Sequence, residues 1–207
     1  GDDSISGDGG KDKIYGDAGN DYLSGGADPV TFDGGSGFDM VSYGGKKSVV
    51  ANLGDTSKNK GEAKGDTYKS IEGLDGTNYD DTLTGDSRSN RVVGRSGNDK
   101  LDGGGGDDTL IGSEGADTLK GGSGSDTAMY NIAELADVPL MSDYKGVTAN
   151  LTDPSKNRGE AKGDTYSSIE NLSGTHVEDK LYGNDKANIL TGLSGADLLV
   201  GYDGKDS

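Results

Sequence analysis

An apolar residue recurs every nine positions along most of the chain, flanked by polar neighbours and preceded by glycine. From Gly94 to Met129 four units follow one another, GRSGNDKLD, GGGGDDTLI, GSEGADTLK and GGSGSDTAM, with Leu101, Leu110, Leu119 and Ala128 in the eighth place. Places seven to nine, apolar in the middle, have the period of a short strand whose central side chain points to one face. Glycines in the first and fourth places allow a tight turn with positive φ and close backbone approach. A unit with one inward residue cannot bury that residue alone, so neighbouring units must stack. Two units, or about eighteen residues, then form one coil of turn, strand, turn, strand. The expected fold is all-β, a solenoid of short parallel strands.

The same unit organises three blocks, 1–42, 76–129 and 174–207. In the first, units begin at Gly7, Gly16, Gly25 and Gly34 after the half-unit GDDSIS, and the third departs from the pattern with Asp28 and Val30 in the fourth and sixth places. Residues 43–75 and 130–173 are degenerate connecting coils. They match each other closely: VVANLGDTSKNKGEAKGDTYKSIEGLDGT from Val49 returns as VTANLTDPSKNRGEAKGDTYSSIENLSGT from Val147. The second copy carries an apolar excess, residues 131–141. Strand-like segments such as VVANL predict that one continuous solenoid runs through both stretches with wider turns, giving roughly eleven coils at 18 residues each. After each stretch comes an Asp unit (Asp81, Asp179) and then an Asn unit (Asn90, Asn188) whose fourth residue is cationic, Arg88 or Lys186. Such a cationic head can reach the stacked carboxylates and stand in for an ion; a solvated turn residue is the alternative.

Composition changes the picture. Leu, Ile, Val and Phe are 35 of 207 residues, Gly is 39, and the net charge is −17. That balance lies in the range of disordered chains. A bound cation would neutralise stacked carboxylates and couple binding to folding. The acidic balance argues against nucleic acid or an anionic membrane as partner. No apolar run approaches a membrane span, and the absence of Cys excludes disulfides and thiolate metal sites.

The pattern G-G-x-G-x-D-x-U-x resembles the calcium-binding nonapeptide of RTX (repeats-in-toxin, hemolysin-type) proteins. The resemblance implies a parallel β-roll, a right-handed β-solenoid with two nonapeptides per coil, holding several Ca²⁺ ions between stacked turns. It implies that each sixth-place Asp bridges two ions while carbonyls of the first four places complete the shell. Carried onto this chain, the carboxylates are Asp3, Asp12, Asp21, Asp39, Asp81, Asp99, Asp108, Asp117, Asp126, Asp179, Asp197 and Asp206. The turn glycines are Gly7, Gly10, Gly16, Gly19, Gly94, Gly97, Gly103, Gly104, Gly106, Gly112, Gly115, Gly121, Gly124, Gly192 and Gly195. Carboxylates and peptide carbonyls are hard oxygen donors, and a flexible site of six or more suits Ca²⁺ better than Mg²⁺.

No catalytic constellation assembles. His176 is the only histidine, which leaves no nucleophile, base and orienter. Nearly every Asp is accounted for by its place in the repeat, and the Asp28-Pro29 and Asp153-Pro154 bonds lie in surroundings that match only the repeat. The chain reads as a non-enzymatic, calcium-binding structural module of a secreted or cell-surface protein, monomeric in isolation and part of a longer parent chain with flanking domains. It would fold on meeting extracellular calcium, and the resemblance adds a type I secretion route. A β-roll segment of an adhesin or surface-layer protein is the alternative; a ligand-binding Thr face is a weaker one, since Arg91 and Lys100 interrupt the Thr array. In the middle block, places seven and nine point outward. One outer face is then polar (Thr82, Thr84, Lys100, Asp102, Thr118, Lys120), and the other carries an apolar stripe of Val93, Ile111 and Met129. Ile132, Leu135 and Leu140 are expected to cover that stripe.

Overall fold

Residues 1–131 and 145–207 are described by the computed structural model. Each unit of the first block yields one three-residue strand, β1 (Ser4–Ser6), β2 (Lys13–Tyr15), β3 (Tyr22–Ser24), β4 (Thr31–Asp33) and β5 (Met40–Ser42). The first long stretch adds β6 (Val50–Asn52), β7 (Thr67–Lys69) and β8 (Gly73–Asp75). The middle block forms β9 (Thr82–Thr84), β10 (Arg91–Ser96), β11 (Lys100–Gly105), β12 (Thr109–Glu114), β13 (Thr118–Ser123) and β14 (Thr127–Met129). Then come β15 (Thr148–Asn150), β16 (Thr165–Ser167) and β17 (Asn171–Ser173), followed by β18 (Lys180–Tyr182), β19 (Leu190–Thr191) and β20 (Leu198–Val200).

All these strands pair in parallel, and within a block each meets the strand 18 residues on, as Leu101 meets Leu119 and Val92 meets Leu110. One face of the molecule is a single nine-stranded sheet in the order β1-β3-β5-β8-β10-β12-β14-β17-β19. The eighth-place side chains fill the space between this face and the opposite one: Leu23, Phe32, Leu83, Val92, Leu101, Leu110, Leu119 and Leu181 belong to one buried cluster. The architecture is a parallel β-roll.

The opposite face is not continuous. It consists of three sheets, β2-β4-β7, β6-β9-β11-β13-β16 and β15-β18-β20. Here the structure differs from the expectation of a coil that merely widens. The chain leaves β5, places β6 on β9 of the block ahead, turns back, and lays β7 on β4 of the block behind before β8 rejoins the long sheet. The reversal is local chemistry. Two single-turn 3₁₀ helices, Thr56–Lys58 and Gly61–Ala63, follow β6, and Val50 and Lys60 exchange backbone hydrogen bonds as an antiparallel bridge. Asn52 Oδ1 accepts from the Asp55 N–H at 2.6 Å, and the Asn52 N–H donates to Asn59 Oδ1 at 2.9 Å. The second long stretch repeats the manoeuvre with Asn150 and Asn157, sending β15 to β18 and β16 to β13.

These detours explain why the long sheet has nine strands where eleven coils are expected. Met40 pairs with Gly73, 33 residues on, and Thr127 with Asn171, 44 residues on. On the outside of the long sheet, Val93 and Ile111 are buried yet stand outside the core cluster formed by their neighbours Val92 and Leu110, and Met129 is half-buried. The register of outward places therefore holds. Ile132, Leu135 and Leu140, expected as the cover, lie outside the described residues. The other outer face is polar as expected, with Lys120 paired to Asp102 at 2.8 Å.

Candidate metal centre

The turns that precede the strands stack into two rows, and the sixth-place side chain is the rung of each. Asp99 Oδ1 accepts the backbone N–H of Asp81 at 2.7 Å, and Asp117 Oδ1 accepts that of Asp99 at 2.8 Å. The same bond joins Asp3 to Asp21, Asp21 to Asp39, and Asp108 to Asp126. Asp197 and Asp206 accept from Asp179 and Asn188. A carboxylate has two oxygens, and only one is used. The Oδ2 atoms of Asp12, Asp21, Asp39, Asp99, Asp108, Asp117 and Asp126 are buried without a hydrogen-bond partner.

The first-place glycine makes room for that second oxygen. A Cβ at Gly103 would come within 2.1 Å of Asp108 Oδ2, and at Gly7, Gly16, Gly94, Gly112, Gly121 and Gly192 the corresponding distances run from 2.2 to 2.8 Å. The fourth-place glycine does a different job. Gly115 has φ +151 and would bring a Cβ to 1.7 Å from the carbonyl oxygen of Gly97, one coil earlier. Gly10, Gly19, Gly97, Gly106, Gly124 and Gly195 share the positive φ, as does Gly104 in the second place of its unit. The turns thus bring carbonyl oxygens and paired carboxylates together.

Electrostatics point the same way. Burial pushes Asp99, Asp108 and Asp117 up to about 7; like charges on neighbouring turns push further, and the backbone N–H bonds only partly offset this. Asp39, Asp81 and Asp126 are raised for the same leading reason. Buried anions with an unpartnered oxygen call for a proton or a cation. Among the described residues no three His, Cys, Asp or Glu side chains converge on one point. A cation in these rows would therefore be held by carboxylates from successive turns together with backbone carbonyls, a hard, all-oxygen set suited to Ca²⁺.

Not every predicted rung is alike. Asp81 and Asp179 have no unpartnered oxygen, because the N–H and hydroxyl of Thr77 and Thr175 donate to them. Asp3 lies at the exposed start of its row, 4.0 Å from the amino terminus. In the irregular third unit, Asp28 Oδ2 accepts from Gly10 N–H at 3.1 Å and the N–H of Val30 donates to Asp66 Oδ1 at 2.8 Å. At Asn90 the carboxamide accepts from Asp86 N–H and donates to the Glu72 carbonyl. Arg88 spans Glu72 Oε1 at 2.7 Å, Asp86 Oδ2 at 2.8 Å and the Ile71 carbonyl at 3.0 Å, so its guanidinium does reach the carboxylates of that row. Lys186 takes the corresponding place 3.8 Å from Glu170.

Sequence reasoning missed three sets of residues. Glu72 and Glu170 occupy the sixth place, accepting from Asp39 and Asp126 N–H at 3.1 and 3.2 Å. Asp66 and Asp164 do so in the units it treated as degenerate. A second ladder runs along the fifth places, where Asn98 N–H donates to Asp80 Oδ1 and Ala116 N–H to Asn98 Oδ1. Counting back two places from the core residues Leu74 and Leu172 would have found the glutamates.

The family model of the RTX calcium-binding nonapeptide repeat matches four segments, residues 1–29, 75–110, 102–129 and 178–207, together more than half of the chain. The chain belongs to the RTX calcium-binding nonapeptide repeat family. No curated protein matches it. The RTX repeat is a calcium-binding structural unit rather than a catalytic one. The matched RTX segments contain most of the unpartnered carboxylate oxygens, while the two stretches left unmatched are those in which the chain doubles back.

Proposed function

We propose that this chain is a calcium-dependent structural module of a secreted or cell-surface protein, one that condenses from a largely unfolded state on reaching extracellular calcium. The observation that carries this reading is the set of buried, unpartnered Oδ2 atoms in successive turns. Without a cation they oppose the fold; with one they join its turns. The low apolar content and net charge of −17 point in the same direction.

Within this reading the sixth-place aspartates and the turn glycines named from the sequence hold the ions, in blocks 1–42, 76–129 and 174–207 of one solenoid. The chain works as part of a longer parent protein, monomeric as an isolated module, and its low calcium-free stability suits it to type I export. No helix among the described residues is long and apolar enough to cross a membrane. Circular dichroism with calcium titration tests the proposal. Most of the β signal should be lost in chelator and return with a midpoint on the order of 10⁻⁴ to 10⁻³ M. A full β signal in chelator would overturn it.

A further inference from the structure

We infer that the two long-repeat junctions close without calcium, each using side chains where the RTX turns would use ions, so that the roll is divided into separately loaded banks. The inference rests on the calcium reading above and deepens it.

The first substitution is a hydroxyl. Asp66 and Asp164 keep the usual backbone bond, from Val30 and Asp117 N–H at 2.8 and 2.9 Å. Their second oxygen is taken by a tyrosine, Tyr43 at 3.2 Å and Tyr130 at 3.0 Å. Each of these tyrosines is buried and in hydroxyl contact with a second, Tyr68 or Tyr166, which accepts from Asn59 or Asn157 at 3.1 Å. A hydroxyl donates one proton to the carboxylate and closes the row with no ion.

The second substitution lies one unit further on, at the threonines. Thr77 and Thr175 N–H each donate to the second oxygen of Asp81 and Asp179 at 2.6 Å, and their hydroxyls add a further bond. The third is a fixed cation. Arg88 holds two carboxylates and a carbonyl, the kinds of group that ligate calcium elsewhere in the row.

The duplication is the strongest argument. Hydroxyl, threonine and cation all recur in the second junction, and the unpartnered Oδ2 atoms fall between junctions, not on them. Two separate stretches of chain have reached the same ion-free solution in the same three places.

Calcium stoichiometry of the full 207-residue chain, by equilibrium dialysis and titration calorimetry, tests this with conservative variants. Asp164→Asn and Asp81→Asn should leave the ion count unchanged and move the calcium midpoint less than twofold. Asp108→Asn should lower the count and weaken the midpoint at least tenfold. Residue-resolved hydrogen exchange in chelator supplies a readout that survives a poorly folding variant: the Val49 and Val147 amides, bonded to Asp81 and Asp179, should exchange at least tenfold more slowly than those of Asp99 and Asp108. Equal loss of ions in Asp164→Asn and Asp108→Asn, or equal exchange at all four amides, would overturn the inference while leaving calcium binding intact. An unaltered chain that bound no calcium would overturn the underlying reading and the inference with it.

Discussion

Asp99 donates its backbone N–H to Asp117 Oδ1 at 2.8 Å, yet both residues keep their second carboxylate oxygen buried and unpartnered. The fold thus holds two anions in register along one row without neutralising either. That arrangement makes the roll sensitive to anything that supplies positive charge, and pH is the simplest test.

The sign follows from the raised values. Asp99, Asp108 and Asp117 titrate near 7 in the folded chain, against roughly 3.9 for an unperturbed Asp. In chelator their contribution to stability is fully present below the unfolded value and is lost as pH rises toward 7. The calcium-free chain should therefore gain β signal by circular dichroism as pH falls from 8 to 5. Over the same range protons compete with calcium, so the calcium midpoint should rise. Calcium-free β signal that declined on acidification would contradict this account.

Gly103→Ala should impair the calcium-loaded roll, because its Cβ would lie 2.1 Å from Asp108 Oδ2. A forced shift of that kind costs about 1–3 kcal/mol, read as a lowered melting temperature in saturating calcium. Gly9→Ala is the control: nothing lies within 4 Å of its Cβ and its φ is not positive, so its effect should stay within about 0.5 kcal/mol.

Tyr130→Phe removes the donor to Asp164 Oδ2 and the hydroxyl contact with Tyr166. Leaving a buried acceptor unsatisfied costs about 1–3 kcal/mol. Urea denaturation in saturating calcium should show that loss, and Tyr43→Phe should show a similar one at the other junction. A loss confined to one variant would mean that the two junctions are not equivalent.

Arg95 holds Asp75 against the outside of the long sheet, with Nε 2.5 Å from Oδ1 and a second contact to Oδ2, while the Tyr22 hydroxyl touches both residues. The Asp75 side chain is only 4% exposed. Arg95→Ala strands that carboxylate and should destabilise the calcium-loaded chain by about 3 kcal/mol in chemical denaturation. A change of a few tenths would show the pair to be solvated.

Places one, four, six and eight were legible because each is fixed by a local requirement repeated many times: space for a carboxylate oxygen, positive φ, a rung, a core side chain. Glu72 and Glu170 escaped because SIEGL and SIENL lack the flanking glycines, so nothing local marks the glutamate as a rung. The pairing of Tyr43 with Tyr68 is invisible for another reason, since it depends on which stack β7 joins. The detour of β6 is likewise a choice between two equally long-range partners, β4 behind and β9 ahead, and strand pattern alone does not distinguish them. Arg88 sits between these cases: its place in the turn is readable, but its partner Glu72 is not.

The crossed order of β6 and β7 has a consequence for anyone wishing to take the molecule apart. A cut anywhere between residues 53 and 66 would leave the last strand of the first block, β7, on the wrong side of the cut, and would carry β6, the first strand of the next sheet, away with the wrong fragment. The blocks are dovetailed rather than butted. A fragment meant to stand alone must include residues assigned by chain order to its neighbour, and a graft of foreign repeats must replace both halves of the joint together.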